Sequence, residues 1–165
     1  MSKAHVQSKL LKSEVTIRHA AVEDIDAVYE IAVAGRLESW SRDAYANYAV
    51  KDAALFLVAE AASGICGFAV VGIFPTSKEG EIHNIAVAPA SRRQGIGTAL
   101  LREIGRRLSA KGIENLFLEV RESNFPAVTA YEKFGFEIVG RRPQFYKNPL
   151  EDAFVMRKSL QHSTL

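Results

Sequence analysis

Cysteine is almost absent from this chain: Cys66 is the single thiol among 165 residues. One cysteine excludes an internal disulfide framework and cannot supply a zinc set. Between Ile65 and Gly67-Phe68 it reads as a small buried hydrophobe. An excess of one charge is missing too. Lys and Arg number 21 against 19 Asp and Glu, a net +2, which by itself implies no nucleic-acid partner. The basic residues that do cluster, from Arg92 to Arg107, suit one phosphorylated ligand at least as well. Long apolar runs are also lacking. Residues 55–74 come nearest, but Glu60 and Ser63-Gly64 interrupt them, and Val and Phe enrich both halves. That pattern suits a buried β-hairpin better than a membrane span. The polar, Lys-rich first 13 residues lack the apolar middle of a secretory signal. The expectation is a disordered leader over 1–13, one domain over 14–160, a tail over 161–165, and a soluble, cytoplasmic protein with no membrane partner. Nothing in the sequence fixes an oligomeric state.

What is present is concentrated around Ile85-Ala86-Val87-Ala88-Pro89, followed by Arg92-Arg93-Gln94-Gly95-Ile96-Gly97-Thr98. A β-branched run stops at a proline, a basic glycine loop comes next, and a helix begins. Glycines let backbone N–H groups turn inward. The first helical turn adds unpaired N–H groups and partial positive charge. Such a site takes a pyrophosphate. No Gly-Lys-Ser/Thr ends the loop, so it is not a Walker motif. Leu100 stands where a dinucleotide fingerprint wants glycine or alanine.

The remaining pattern alternates strands and helices. Strands are expected at 14–18, 55–60, 65–74, 81–88, 115–120, 136–140 and 152–158. Helices are expected at 22–33, from Ser41, at 98–111 with an apolar stripe of Leu100, Leu101, Ile104 and Leu108, and at 126–134 closed by Gly135. Residues 75–80 and 141–150 read as loops, the latter for its two prolines and Asn148. The order suggests an α+β fold, one mixed curved sheet flanked by helices on both faces.

Strand alternation over 115–120 puts Leu116, Leu118 and Val120 on one face and Phe117, Glu119 and Arg121 on the other. A Glu among apolar neighbours costs stability unless it is paired or functional. Two readings of Glu119 stay open: an ion pair with Arg121, Arg102 or another neighbour, and a working carboxylate. Tyr131 is either a packing aromatic or a proton donor. Asn124 either caps the next helix or contacts a ligand.

Taken together, several segments resemble the GNAT superfamily of N-acetyltransferases over nearly the whole chain after Ser13. They are Trp40-Ser41, Asn84-Ile85-Ala86-Val87, Arg92 to Thr98, Leu118-Glu119-Val120-Arg121, Ser123-Asn124, Tyr131-Glu132-Lys133-Phe134-Gly135-Phe136, and Tyr146 with Glu151-Asp152-Ala153. The Trp-Ser, Leu-Glu-Val-Arg and Glu-Asp-Ala pieces resemble the branch that acetylates protein N-termini, in particular alanine-starting bacterial ribosomal proteins. The resemblance implies acetyl-CoA as co-substrate and no metal. It implies that backbone groups of Ile85, Ala86 and Val87 hold the pantetheine and thioester. The loop Arg92, Arg93, Gln94, Gly95, Ile96, Gly97 and Thr98 would hold the pyrophosphate, and Asn124 would contact coenzyme A. Glu119 would be the base and Tyr131 the acid. Trp40, Glu81, His83 and Tyr146 are candidates for the acceptor cleft. Ser39 stands where the family usually has proline, and 34–38 also differ, so the acceptor wall departs from the family pattern.

The chemistry suits an α-amine. With a pKa near 8, roughly a tenth of it is neutral at pH 7, against about one part in a few thousand for lysine. Two alternatives remain: an acetyltransferase of small amines or lysines on the same fold, and a noncatalytic acyl-CoA sensing module that would not need Glu119 and Tyr131 together.

Overall fold

A computed structural model describes residues 14–37 and 40–161. The expected leader, most of the expected tail, and Ser39 lie outside the described residues. Seven strands run in the sheet order β1-β2-β3-β4-β5-β7-β6. The described residues divide into two compact units, one within 14–70 and 84–101, the other within 71–83 and 102–161. No helix among the described residues is long and apolar enough to cross a membrane.

In the first unit, β1 (Thr16–His19) pairs antiparallel with β2 (Ala54–Ala61). The apolar spacing predicts one helix over 22–33, but the helix α1 spans Ile25–Ala34 and a 3-10 turn occupies Val22–Asp24. Asp24 explains the delay. Its carboxylate accepts the Ala21 N–H at 2.7 Å and both ends of the Arg18 fork at 2.7 and 2.9 Å. The Arg18 hydrogen bonds hold that carboxyl below the usual range. Ser41 caps α2 (Arg42–Ala49) by accepting from the Ala44 N–H at 3.1 Å. Ile25, Val28, Ile31 and Ala32 of α1 pack with Tyr45, Phe56, Val58, Phe68 and Val70 in one apolar cluster. Burying each large side chain there stabilises the fold by about 1.5–3 kcal/mol. The β2 run and β3 (Gly64–Phe74) confirm the expected hairpin, and Leu55 to Ala59 are all buried.

The strand β4 (Glu79–Val87) starts two residues earlier than the alternation suggests, inside the stretch that reads as a loop. After it come a 3-10 turn, Pro89–Ser91, and the helix α3 (Ile96–Ala110). A Cβ on Gly67 would lie 3.2 Å from the Ala86 carbonyl oxygen and from Ile96, so this glycine lets the first turn of α3 approach β3.

In the second unit, β4 pairs parallel with β5 (Asn115–Arg121), in the register Glu81↔Phe117 and Ile82↔Leu118. The expected alternation holds: Leu116, Leu118 and Val120 are buried. Asn124 caps α4 (Phe125–Phe134), and Gly135 ends it at φ 108°. The largest correction falls at 141–150. These residues are not a loop. They belong to β6 (Glu137–Lys147) and β7 (Leu150–Ser159), joined by a two-residue turn. β6 is last in the sheet order, where Pro143 breaks no ladder on the open side. Register shifts between Ile138 and Gly140, and between Arg142 and Tyr146, accommodate the irregular segment.

Candidate active site

Glu119 sits on the half-buried face of β5, with its side chain 13% exposed. The neighbour that pairs with it is Arg142 of β6, at 3.3 Å. Arg121 pairs with Glu151 and reaches the β6–β7 turn. The sequence hides Arg142 because its segment reads as a loop. Across the β4–β5 register, Glu81 points to the same side as Phe117, and so as Glu119. Burial first, then the charge and hydrogen bond of Glu81, raise the Glu119 carboxyl from 4.5 to about 7, against the pull of Arg142. The ion pair with Arg142 is thus outweighed by burial and Glu81, and a carboxyl near neutrality can exchange a proton with an amine.

His83, two residues beyond Glu81, shares that strand face and packs over Gly72. A Cβ on Gly72 would lie 2.6 Å from its Nε2. Tyr131 is half-buried on α4, its ring 5.7 Å from Phe136 in an edge-on arrangement. Burial pushes its phenol to about 12, so it keeps its proton at any physiological pH. Tyr146 of β6 lies under the Arg121 guanidinium, 4.2 Å from its ring centre. Asn124 accepts from the Ala127 N–H at 3.3 Å, so its carbonyl oxygen serves the helix cap.

The glycine loop belongs to the first unit. Arg93 and Gly95 have φ of 63° and 83°, the left-handed conformation that glycine adopts without strain. A Cβ at Gly95 would meet nothing within 4 Å, so the backbone is open to an approaching group. The four N–H groups of the first α3 turn have no intrahelical partner by geometry. Residues 92–95 and Thr98 are exposed, whereas Ile96 is buried and anchors the helix start. The loop therefore fits the pyrophosphate of coenzyme A. Arg92 donates to the Val87 carbonyl at 3.3 Å, tying the loop back to the end of β4. Ile85, Ala86 and Val87 form that half-buried end. Just before them, Asn84 is buried, and its Nδ2 has no hydrogen-bond partner among the described residues. Sequence alternation gives the position of Asn84 but not this unmet donor.

Trp40 stacks on Tyr48 at 4.8 Å and tilts against Tyr45 at 5.3 Å, a packing role in the first unit.

A left-handed glycine turn opening a helix, following a strand of a mixed seven-stranded sheet, is the architecture of an acyl-CoA N-acyltransferase. The Acetyltransferase (GNAT) family matches residues 25–136, and the chain belongs to that family. It is an acetyl-CoA-dependent N-acetyltransferase. It is 32% identical over 143 residues to the ribosomal protein bS18-alanine N-acetyltransferase of Escherichia coli (strain K12), covering 86% of this chain and 95% of that protein. An N-alpha-acetyltransferase of Sulfurisphaera tokodaii is 32% identical over 158 residues, covering 89% and 94%. The crystal structure of the ribosomal-protein-S18-alanine N-acetyltransferase from Escherichia coli superposes with a TM-score of 0.81 at 29% identity. It covers 92% of this chain and 97% of its own.

Proposed function

We propose that this enzyme acetylates the N-terminal α-amine of a protein, an alanine-starting ribosomal protein, in the cytoplasm, with Glu119 as base and Tyr131 as acid. The observation that carries the reading is Glu119 itself, 13% exposed on β5 with Glu81 on the same face across the β4–β5 register and its carboxyl raised to about 7 by burial and that neighbour. A base works best with a pKa near the working pH, and an α-amine near 8 needs little help to lose its proton. The relatives named for N-terminal acetylation support the acceptor class.

Bound acetyl-CoA supplies an acetyl thioester for the amine to attack. The chain's own residues do the rest. The Arg92–Thr98 loop binds the pyrophosphate through backbone N–H groups and the charge of Arg93. Ile85, Ala86 and Val87 hold the pantetheine arm. A strand N–H near Asn84 or Ile85 supports the thioester oxygen as it gains charge. Glu119 takes the amine proton, directly or through water. Tyr131 gives its phenolic proton to the leaving thiolate. A thiol pKa near 8.5 makes this donation undemanding. Burial and then Glu81 keep Glu119 basic, and Arg142 limits the shift.

Steady-state kinetics with alanine-starting peptides, lysine peptides blocked at the N-terminus, and polyamines tests the reading. The N-terminal peptides should give the highest kcat/KM. Faster turnover of polyamines would move the assignment to a small-amine acetyltransferase, for which the Glu81–Glu119 pair is also a suitable anionic host.

A further inference from the structure

We propose that Arg121 is a positioning residue that builds the acceptor wall beyond the amine, by holding Tyr146 and the Asn148–Pro149 turn in one geometry. It thereby makes the enzyme select peptides over small amines. This role rests on the proposed function, which puts the acceptor amine at Glu119.

Arg121 follows Glu119 by two residues on β5, so both side chains leave the same face, about 7 Å apart along the strand. Arg121 is 23% exposed and uses its whole fork. Nη1 donates to the Pro149 carbonyl at 2.9 Å and pairs with Glu151 Oε1 at 3.3 Å. Nη2 donates to the Asn148 carbonyl at 3.3 Å. The guanidinium plane covers the Tyr146 ring. Glu151 is itself fixed, accepting the Ser123 N–H at 2.9 Å and the Ser123 hydroxyl at 3.0 Å. From the other side, Asp152 accepts the Gln144 N–H at 2.9 Å and holds Gln144 at φ 52°. This sets the bend of β6 two residues before Tyr146.

A lone exposed ion pair would add little. Here one planar fork satisfies two carbonyls and a carboxylate while lying on a ring, which a lysine cannot reproduce. The arrangement orders an otherwise exposed edge strand. It does so one strand period from the base. A peptide whose first residue sits at Glu119 extends toward the Tyr146 ring and the turn. A small amine ends before it.

The test compares wild type, Arg121→Lys, Arg121→Ala and Tyr146→Ala on two acceptors, an alanine-starting tetrapeptide amide and alaninamide. Thermal melts certify folding, and the acetyl-CoA KM serves as internal reference. The ratio of kcat/KM for the tetrapeptide to that for alaninamide should fall about tenfold in all three variants, mostly through KM, the scale of one lost charge-assisted contact. Lysine should rescue little of it. Glu151→Gln, which leaves Arg121 in place but loosens its anchor, should show a smaller fall of the same kind. Equal losses on both acceptors, or an unchanged ratio in folded Arg121→Ala, overturn the proposal while leaving the N-terminal reading intact. A wild type that turns over polyamines but neither alanine acceptor overturns both.

Discussion

Replacing Glu119 by Gln keeps the shape of the side chain and removes its titration, so the pH dependence of stability reports directly on the carboxyl. In the folded protein this group ionises near 7 instead of 4.5. The folded state therefore holds the proton more tightly than the unfolded chain. Stability from this group is fully present below pH 4.5 and is lost as pH rises through 7. At 1.36 kcal/mol per pKa unit, the ionised form costs about 3 kcal/mol by pH 8. The pull of Arg142 is already contained in the value near 7. Glu119→Gln should accordingly be more stable than wild type by about 3 kcal/mol at pH 8, with the gain vanishing near pH 4.5. Urea unfolding at several pH values measures it. A stability difference independent of pH would show that Glu119 titrates normally and would remove its standing as a neutral-range base. Glu81→Gln supplies the companion result. With that neighbouring charge gone, the acid limb of the wild-type kcat/KM profile should move below 7. The groups that set the limb would then be burial and Arg142, with His83 and Arg121 on the same face.

Gly95→Val forces a β-branched residue into φ 83°, which costs about 1–3 kcal/mol and distorts the loop. Calorimetry should show coenzyme A affinity lower by tenfold or more, and an unchanged affinity in a folded variant rejects the phosphate cradle. Tyr131→Phe keeps the ring contact with Phe136 and removes the proton donor. Single-turnover rates should fall while coenzyme affinity holds, and full turnover would give the acid role to water. The Tyr45 hydroxyl is buried without a partner among the described residues, and burial raises its pKa to about 12. Tyr45→Phe should raise stability by up to about 1 kcal/mol by removing an unpaired hydroxyl, and a loss of more than that would mean the hydroxyl is bonded after all.

The parts of the fold that are legible in the sequence are those whose apolar period is uninterrupted. The alternation of Leu116, Leu118 and Val120 reads as a strand with Glu119 on its other face, and the buried hairpin reads from Val and Phe content. The Ser41 and Asn124 caps and the Gly135 stop are local hydrogen-bond chemistry, visible one residue at a time. Two departures have physical causes. The start of α1 moves because the Asp24 carboxylate accepts the Ala21 N–H and the Arg18 fork of β1, which holds 22–24 in a tighter turn. The expected strand at 136–140 catches only the start of β6; its continuation over 141–147 escapes notice because an exposed edge strand needs no apolar alternation and tolerates Pro143, so its pattern resembles a loop. That second departure conceals Arg142, the observed ion-pair partner of Glu119. The site is legible in its residue types and not in its pairings. Which arginine meets Glu119, and which holds Tyr146, depends on strand neighbours 23 and 25 residues away in sequence.

Transfer to an α-amine with Glu119 as base is testable with one peptide. A peptide that starts with alanine and carries one internal lysine offers both amine types at equal concentration. Incubation with acetyl-CoA and the enzyme, followed by fragment mass spectrometry, locates each acetyl group. The expected result is acetyl on the N-terminal fragment, a much lower yield with Glu119→Gln at pH 7, and partial recovery of that variant as pH approaches the amine pKa. Acetyl found mainly on the lysine, or a Glu119→Gln yield equal to wild type across that pH range, would contradict the assignment.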